Sequence, residues 1–298
     1  MSTRKQQAKQ PPIASDGLRA RANRAYAEDK LSFIDRYLPP ALMATTRVPA
    51  RVYVDLFAGP GRNVDTTTHE EFDGACLRAL RARGRSGVAF THAVLVNLDE
   101  DDHAALEARL DRMEQAGTLA VPRANIRTIH GNANTVVQGL RFLLPPAAYV
   151  FAFVDLEKAR QWPWQSMQAL RRASARMDAY LLFPDDMGLR RVLCYDLAYL
   201  ERYATALTRF FGVDAWRGCL ESRITSGQRR LHMPALAELY LAQLRALGWR
   251  HAHVVRKIRL RGDQGLYSMF FLTAHEAALT LVKWEQETID PQQSLFAS

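Results

Sequence analysis

The sequence predicts a doubly wound α/β fold, a mostly parallel sheet covered by helices on both faces. Three observations carry that expectation. Five short apolar runs between Val52 and Phe183 alternate with segments of helical period. The runs show little polar alternation, which two-sided burial in a parallel sheet explains best. Two last strands then flank a glycine-bearing turn, so an antiparallel hairpin closes the sheet and brings it to seven strands.

Taken in order, Leu31, Ile34, Tyr37 and Leu38 recur at helical spacing from Asp29, and Pro39-Pro40 is expected to interrupt that helix. Val52 to Phe57 reads as a buried strand entering the loop Ala58-Gly59-Pro60-Gly61, with Ala75 to Leu80 as the helix after it. Ala93–Val96, Ile126–Ile129, Tyr149–Val154 and Ala179–Phe183 are the next four strands. Asp101–Met113, Asn134–Leu144 and Trp164–Ala175 are the helices between them. Residues 185–233, with Tyr195, Tyr199, Phe210, Phe211 and Trp216, form an aromatic-rich helical stretch, read as an insertion or lid at the carboxyl edge of the sheet. Pro234 to Leu247 is a further helix. His251–Leu260 and Leu266–Leu272 are the hairpin strands around Arg261-Gly262-Asp263-Gln264-Gly265.

The chain of 298 residues, 48% of them hydrophobic, supports one large domain over 28–298 with that insertion. No long uncharged apolar run is present, and the first residues are polar, so the expectation is a cytoplasmic protein without a membrane segment. Cys76, Cys194 and Cys219 lie far apart and lack metal or redox spacing; they read as free thiols, and no metal is expected. The net charge of +9 favours a polyanionic partner such as nucleic acid. Over half of it sits in residues 1–24, within a basic, Gln- and Pro-bearing tail, 1–27, that composition marks as disordered. Lys257, Arg259 and Arg261 share one face of a strand, either as a nucleic-acid track or as protection of an exposed strand surface.

In doubly wound sheets a ligand sits outside the carboxyl ends of the strands, where strand order reverses. The first strand ends there in "DLFAGPG". Gly59 and Gly61 remove side chains so that a ligand can approach backbone, and Asp55 can accept hydrogen bonds; the plain alternative is a tight turn that binds nothing. After the second strand come Asn97-Leu98-Asp99, where an acid commonly holds ribose hydroxyls. Either the Asn97 amide takes that place or Asp99 reaches back, and Asp99 otherwise reads as a solvated loop acid. After the third come Asn132 and Ala133; Asn132 can bond a base edge or cap the helix that follows. The fourth ends at Asp155, placed to orient a nucleophile or accept its proton, or else held by neighbouring N–H groups. Trp162 and Trp164 can stack on a base, with helix docking the commoner role for Trp164. Asp185 and Asp186 are further edge acids.

A parallel sheet closed this way resembles the class I methyltransferase architecture. "DLFAGPG" is similar to the first motif of methyltransferases with Phe in place of the leading glycine, as in cytosine-C5, amino-group and ribosomal RNA guanine enzymes. The Pro-Cys nucleophile of the first has no counterpart in "FVDLEK", and of the Asp-Pro-Pro-Tyr of the second only Asp155 matches. The closer resemblance is to the bacterial three-Cys-motif partner family. "LSFIDRYLPP", "YVDLFAGPGR", "DGACLRAL", "HGNANTVV", "FAFVDLEKARQWPW", "LLFPDDMGLRR" and "GLYSMFFLTAHEAALTLVKW" resemble its successive blocks, in order. The family's name refers to cysteines of a partner protein encoded nearby. The resemblance implies S-adenosylmethionine as cofactor, with Asp55, Phe57, Ala58, Gly59 and Gly61 as donor loop, Asn97, Asp99, Asn132 and Ala133 beside it, and Asp155 as the catalytic position.

The chain departs from that family at Gly74-Ala75-Cys76, where Gly-Ser-Pro is usual, at Asn132, where an acid is usual, and at Leu156, where proline is usual; Asn97 also replaces the usual ribose acid. An amide forgoes a charge-assisted bond worth about 1–2 kcal/mol more than a neutral one, so two amides weaken donor affinity by roughly thirtyfold to a thousandfold if additive. The readings that follow are a methyltransferase acting on nucleic acid or a partner-bound substrate, a pseudoenzyme kept as an interaction module, and a nucleic-acid binder.

Overall fold

The computed structural model describes residues 10–24, 26–156, 158–189, 197–222, 229–259 and 265–289. Cys194, Tyr195 and the turn 260–264 lie outside them, as do the side chains of Asp186 and Tyr199.

A short strand β1 (Arg21–Asn23) precedes helix α1 (Tyr26–Ala44). The helix runs through Pro39 and Pro40 where the sequence predicts a break. An interior proline costs about 3 kcal/mol. Here Leu38, Ala41 and Leu42 on both sides of the pair are buried, and that packing holds the last turn in place.

The central sheet begins with β2 (Arg51–Asp55). Two polar strands the sequence hides, β3 (Arg62–Asp65) and β4 (Glu71–Asp73), intervene before α2 (Ala75–Arg81), and β1, β3 and β4 form a small sheet of their own. The chain then alternates regularly: β5 (His92–Asn97), α3 (Glu100–Gln115), β6 (Ile126–His130), α4 (Ala133–Gly139), β7 (Tyr149–Val154), α5 (Trp164–Ala173) and β8 (Met177–Phe183). Every residue of β7 and β8 is buried, as two-sided coverage requires. The helix expected to reach Leu144 stops at Gly139 and tightens into a 3₁₀ turn at Leu140–Phe142.

Beyond β8 come α6 (Leu197–Phe211), the short strands β9 (Leu220–Ser222) and β10 (Arg229–Leu231), and α7 (Met233–Ala246). The hairpin β11 (His251–Arg259) and β12 (Gly265–Thr273) and helix α8 (Glu276–Ile289) complete the fold. The seven-stranded sheet has the order β11-β12-β8-β7-β2-β5-β6, with β12 antiparallel to both neighbours. Order reverses between β2 and β7, where Asp55 pairs with Phe153 in parallel register, two residues before Asp155. Among the described residues no helix is long and apolar enough to cross a membrane, and no cluster of His, Cys, Asp or Glu is arranged to hold a metal.

Residues 10–24, expected within a disordered tail 1–27, pack against α3. Arg109 of α3, only 3% exposed, donates to both carboxylate oxygens of Asp16 at 2.7 and 2.8 Å and to the carbonyls of Arg19 and Leu18. Composition counts such charges without seeing the partner that fixes them.

The aromatic core joins the insertion to the sheet: Phe183 stacks on Phe270 with centroids 4.8 Å apart and meets Phe210 of the insertion at 6.0 Å. Phe183→Ala is expected to lower stability by about 3–5 kcal/mol, read from urea denaturation.

Candidate functional site

The loop after β2 is stitched to its neighbours before any ligand is considered. The Ala58 N–H donates to the Val96 carbonyl at 3.0 Å, the Asn97 Nδ2 to the Gly59 carbonyl at 2.9 Å, and the Gly131 N–H to the Asn97 carbonyl at 2.8 Å. Asn97 is 4% exposed, and an aspartate there has no hydrogen to donate to Gly59. The amide therefore does a job in the loop that the acid usual at this position cannot.

The two glycines differ in purpose. Both have left-handed backbone, Gly59 at φ +62° and Gly61 at φ +86°. A Cβ on Gly61 would point into the core, 3.0 Å from Leu106 and 3.2 Å from Leu77, so Gly61 serves helix packing rather than ligand approach. A Cβ on Gly59 would meet the Arg21 guanidinium at 3.2 Å. Strand β1 thus lays a cation across the loop, a contact no local pattern announces.

Asp55 is 1% exposed, with Tyr53 Oη donating to Oδ2 at 3.0 Å and the Phe57 N–H to Oδ1 at 3.1 Å. Burial pushes its pKa up to about 7, against the lowering effect of those two bonds. It borders a recess of ≈ 30 Å³ under the loop. Its role here is to brace the loop from below.

Above the loop is a cavity of ≈ 500 Å³, lined by Phe57, Asn97, Leu98, Asp99, Asn132 and Ala133 among others. Leu98, 72% exposed, offers it an apolar face. Phe57 rests edge-on against the buried Trp162 at 5.8 Å, so that tryptophan supports the loop; Trp164 docks against Tyr240 at 5.4 Å. Asn132 caps α4 by accepting from the Asn134 N–H at 2.9 Å. Asp99 caps α3, accepting from the Asp102 N–H at 3.0 Å, and Arg19 holds the same carboxylate at 3.0 Å. That cap and then that cation keep the Asp99 carboxyl below the usual range.

Asp155 lies at the switch point with its Oδ2 2.6 Å from Lys30 Nζ and 3.9 Å from Arg21. Lys30, 6% exposed and facing the Phe153 and Tyr267 rings at 5.8 and 5.9 Å, escaped the sequence reading. The only signal was a lone lysine on the first apolar helix, ordinary until α1 is seen to cross the strand ends. Asp185, expected at the edge, is buried and accepts from Ser268 Oγ at 2.6 Å. Lys257 and Arg259 are exposed on β11, with Ile258 buried between them.

Counted along the sheet, the strand order is 3-2-1-4-5-7-6 with the seventh antiparallel, and this defines a class I methyltransferase-type fold. No family model and no curated protein matches the chain. Solved structures similar to it include protein LPL1258 of Legionella pneumophila, at 11% identity and TM-score 0.47 over 87% of this chain and 91% of that one. Another is the putative methyltransferase yhhF of Escherichia coli, at 16% identity and TM-score 0.41 over 89% and 92%. A third is an S-adenosylmethionine-dependent methyltransferase of Thiobacillus denitrificans in complex with S-adenosyl-L-homocysteine, at 15% identity and TM-score 0.38 over 90% and 78%.

Asn97→Asp sets a carboxylate against the Gly59 carbonyl and is expected to destabilise the fold by about 1–3 kcal/mol, read from thermal unfolding; unchanged stability would show that the bond to Gly59 carries nothing. Asp55 supplies a pH test. Its folded pKa is raised from 3.8 to about 7, so between those values the folded chain holds a proton the unfolded chain has released, and stability falls as pH rises across that window. Buried Asp178 is shifted the same way. Asp55→Asn is expected to flatten the fall between pH 4.5 and 7.5 (about the ends of the window) in urea titrations, leaving the share due to Asp178.

Proposed function

We propose that the protein binds S-adenosylmethionine in the ≈ 500 Å³ cavity and directs methyl transfer to an acceptor in an adjoining one, at Asp155. The observation that supports this most is the meeting of the two cavities. The second, ≈ 620 Å³, shares Arg21, Asp155 and Arg160 with the first. The residues fit a nucleoside donor: Leu98 and Phe57 present apolar faces to a base, and Asn97 and Asn132 bring carboxamides to its polar edge. When bound, S-adenosylmethionine supplies an electrophilic methyl on a sulfonium sulfur.

The chain's own part is placement. Lys30 fixes Asp155 Oδ2, which leaves Oδ1 to accept the hydrogen of an acceptor hydroxyl or amine and so aim its lone pair. In this reading the chain is a three-Cys-motif partner protein acting beside a partner encoded nearby, on the strength of its ordered motif blocks. A nucleic-acid acceptor has the charge of +9 behind it, but many of the arginines are spent in ion pairs, Arg62 with Glu71 and Asp73 and Arg123 with Glu107 and Asp111.

A second reading, a pseudoenzyme kept as an interaction module, has one specific observation in its favour: Arg19 occupies Asp99, the acid nearest a ribose. Calorimetry separates the two. S-adenosylmethionine and S-adenosyl-L-homocysteine are both expected to bind, and Arg19→Ala to bind them more tightly. Asp155→Asn keeps an oxygen for Lys30; it should retain donor binding and lose roughly 10²–10⁴-fold in labelled methyl transfer to a cell extract. No heat at millimolar donor (about −4 kcal/mol of binding free energy), with the protein folded, overturns the donor site.

A further inference from the structure

The ≈ 620 Å³ cavity has a composition that selects its occupant. Its walls include Leu156, Leu182, Leu189 and Leu207, all buried, with Pro184 and Ala206. Its charged groups among the described residues are mostly cations: Arg21, Lys30, Lys158 and Arg160. Among the described lining residues Asp155 is the one carboxylate, and Lys30 is paired with it at 2.6 Å. Lys158 and Arg160 are exposed, and no acid pairs with either among the described residues.

An apolar chamber of this size is in the range of small-molecule sites, about 300–1,000 Å³. Its leucines repay the burial of an apolar body, and the exposed Lys158 and Arg160, unpaired among the described residues, repay an anion. An apolar cation gains only from the leucines, a purely polar anion only from the cations, and a neutral polar occupant from neither.

We propose that the acceptor site takes a small amphipathic anion, an apolar or aromatic body carrying one carboxylate or phosphate. The body packs against Leu182, Leu189 and Leu207, and the anionic group sits on Lys158 and Arg160. A nucleic-acid strand fits less well, because Arg62, Arg78 and Arg123 are engaged by carboxylates that compete with phosphates for them. The class of acceptor deepens the methyltransferase reading and rests on it, but the binding itself needs no donor.

The test is therefore run without donor, on the full chain, by calorimetry with 2-naphthoate, 2-naphthyl phosphate and the cationic isostere 2-naphthylmethylamine. At least one anion is expected to bind about tenfold or more tightly than the amine, and the tighter anion identifies the headgroup. The exposed double change Lys158→Glu with Arg160→Glu should weaken the anion about tenfold or more and leave unfolding unchanged, whereas Leu189→Trp should weaken both classes by filling the chamber. Equal binding of the amine, indifference to the double charge reversal, or displacement of the naphthyl anion by a single-stranded RNA decamer would each overturn the proposal. Naphthyl binding without donor binding would leave this site standing and defeat the methyltransferase reading alone.

Discussion

The buried guanidinium of Arg109 organises the approach to the site. One side chain of α3 gathers the Asp16 carboxylate, the carbonyls of Leu18 and Arg19, and the Pro60 carbonyl of the glycine loop at 2.6 Å. A planar fork with five donors suits this, since a lysine offers one point and no fixed directions. Losing the guanidinium would strand a carboxylate and three carbonyls in a largely dry place, the kind of break that costs about 3–5 kcal/mol. Because Arg109 holds both the loop and the preceding segment, it also sets where Arg19 and Arg21 reach. The first falls on Asp99 at 3.0 Å and the second comes within 3.9 Å of Asp155.

At the switch point the fold handles two neighbouring carboxylates in opposite ways. Asp55 is shut under the loop, where burial favours its neutral form and Tyr53 and Phe57 take up its oxygens. Asp155, on the adjacent strand end, is given a cation instead, Lys30 from α1. Charge on Asp55 is disfavoured first by burial and also by the nearby Asp155. One acid then supports the backbone and the other borders both cavities.

The sheet was legible because burial on two faces writes itself as continuous apolar runs; β7 was placed to the residue from Tyr149 to Val154. Strands β3 and β4 were not, since "RNVD" and "EFD" are short and polar and pair only through a small sheet completed by β1. Pro39 and Pro40 misled because local propensity was read without the burial around them. In the site, the loop could be found from its glycines, but the direction of a missing Cβ could not. Only the folded chain shows that Gly61 faces Leu77 and Leu106 while Gly59 faces Arg21. Lys30 was hidden for a related reason: its partner is 125 residues away.

Asn97 carries more than the absence of a carboxylate. Read as a missing carboxylate, it weakens a ribose contact. In the fold its Nδ2 donates to the Gly59 carbonyl across 38 residues of sequence, and that bond is open to an amide but closed to an ionised acid. On the proposed donor reading the position answers two demands, loop closure and ligand contact, and the amide meets the first while keeping one oxygen for the second. Restoring an acid there would trade the loop's geometry for a charge. Asp99, two residues on, keeps the charge but gives it to Arg19 and the cap of α3. Contact between that carboxylate and a ribose thus depends on moving Arg19, and Arg109 anchors the segment that carries it. On the proposed donor reading, the hold on that segment bears on the affinity of the cavity along with the residues that line it.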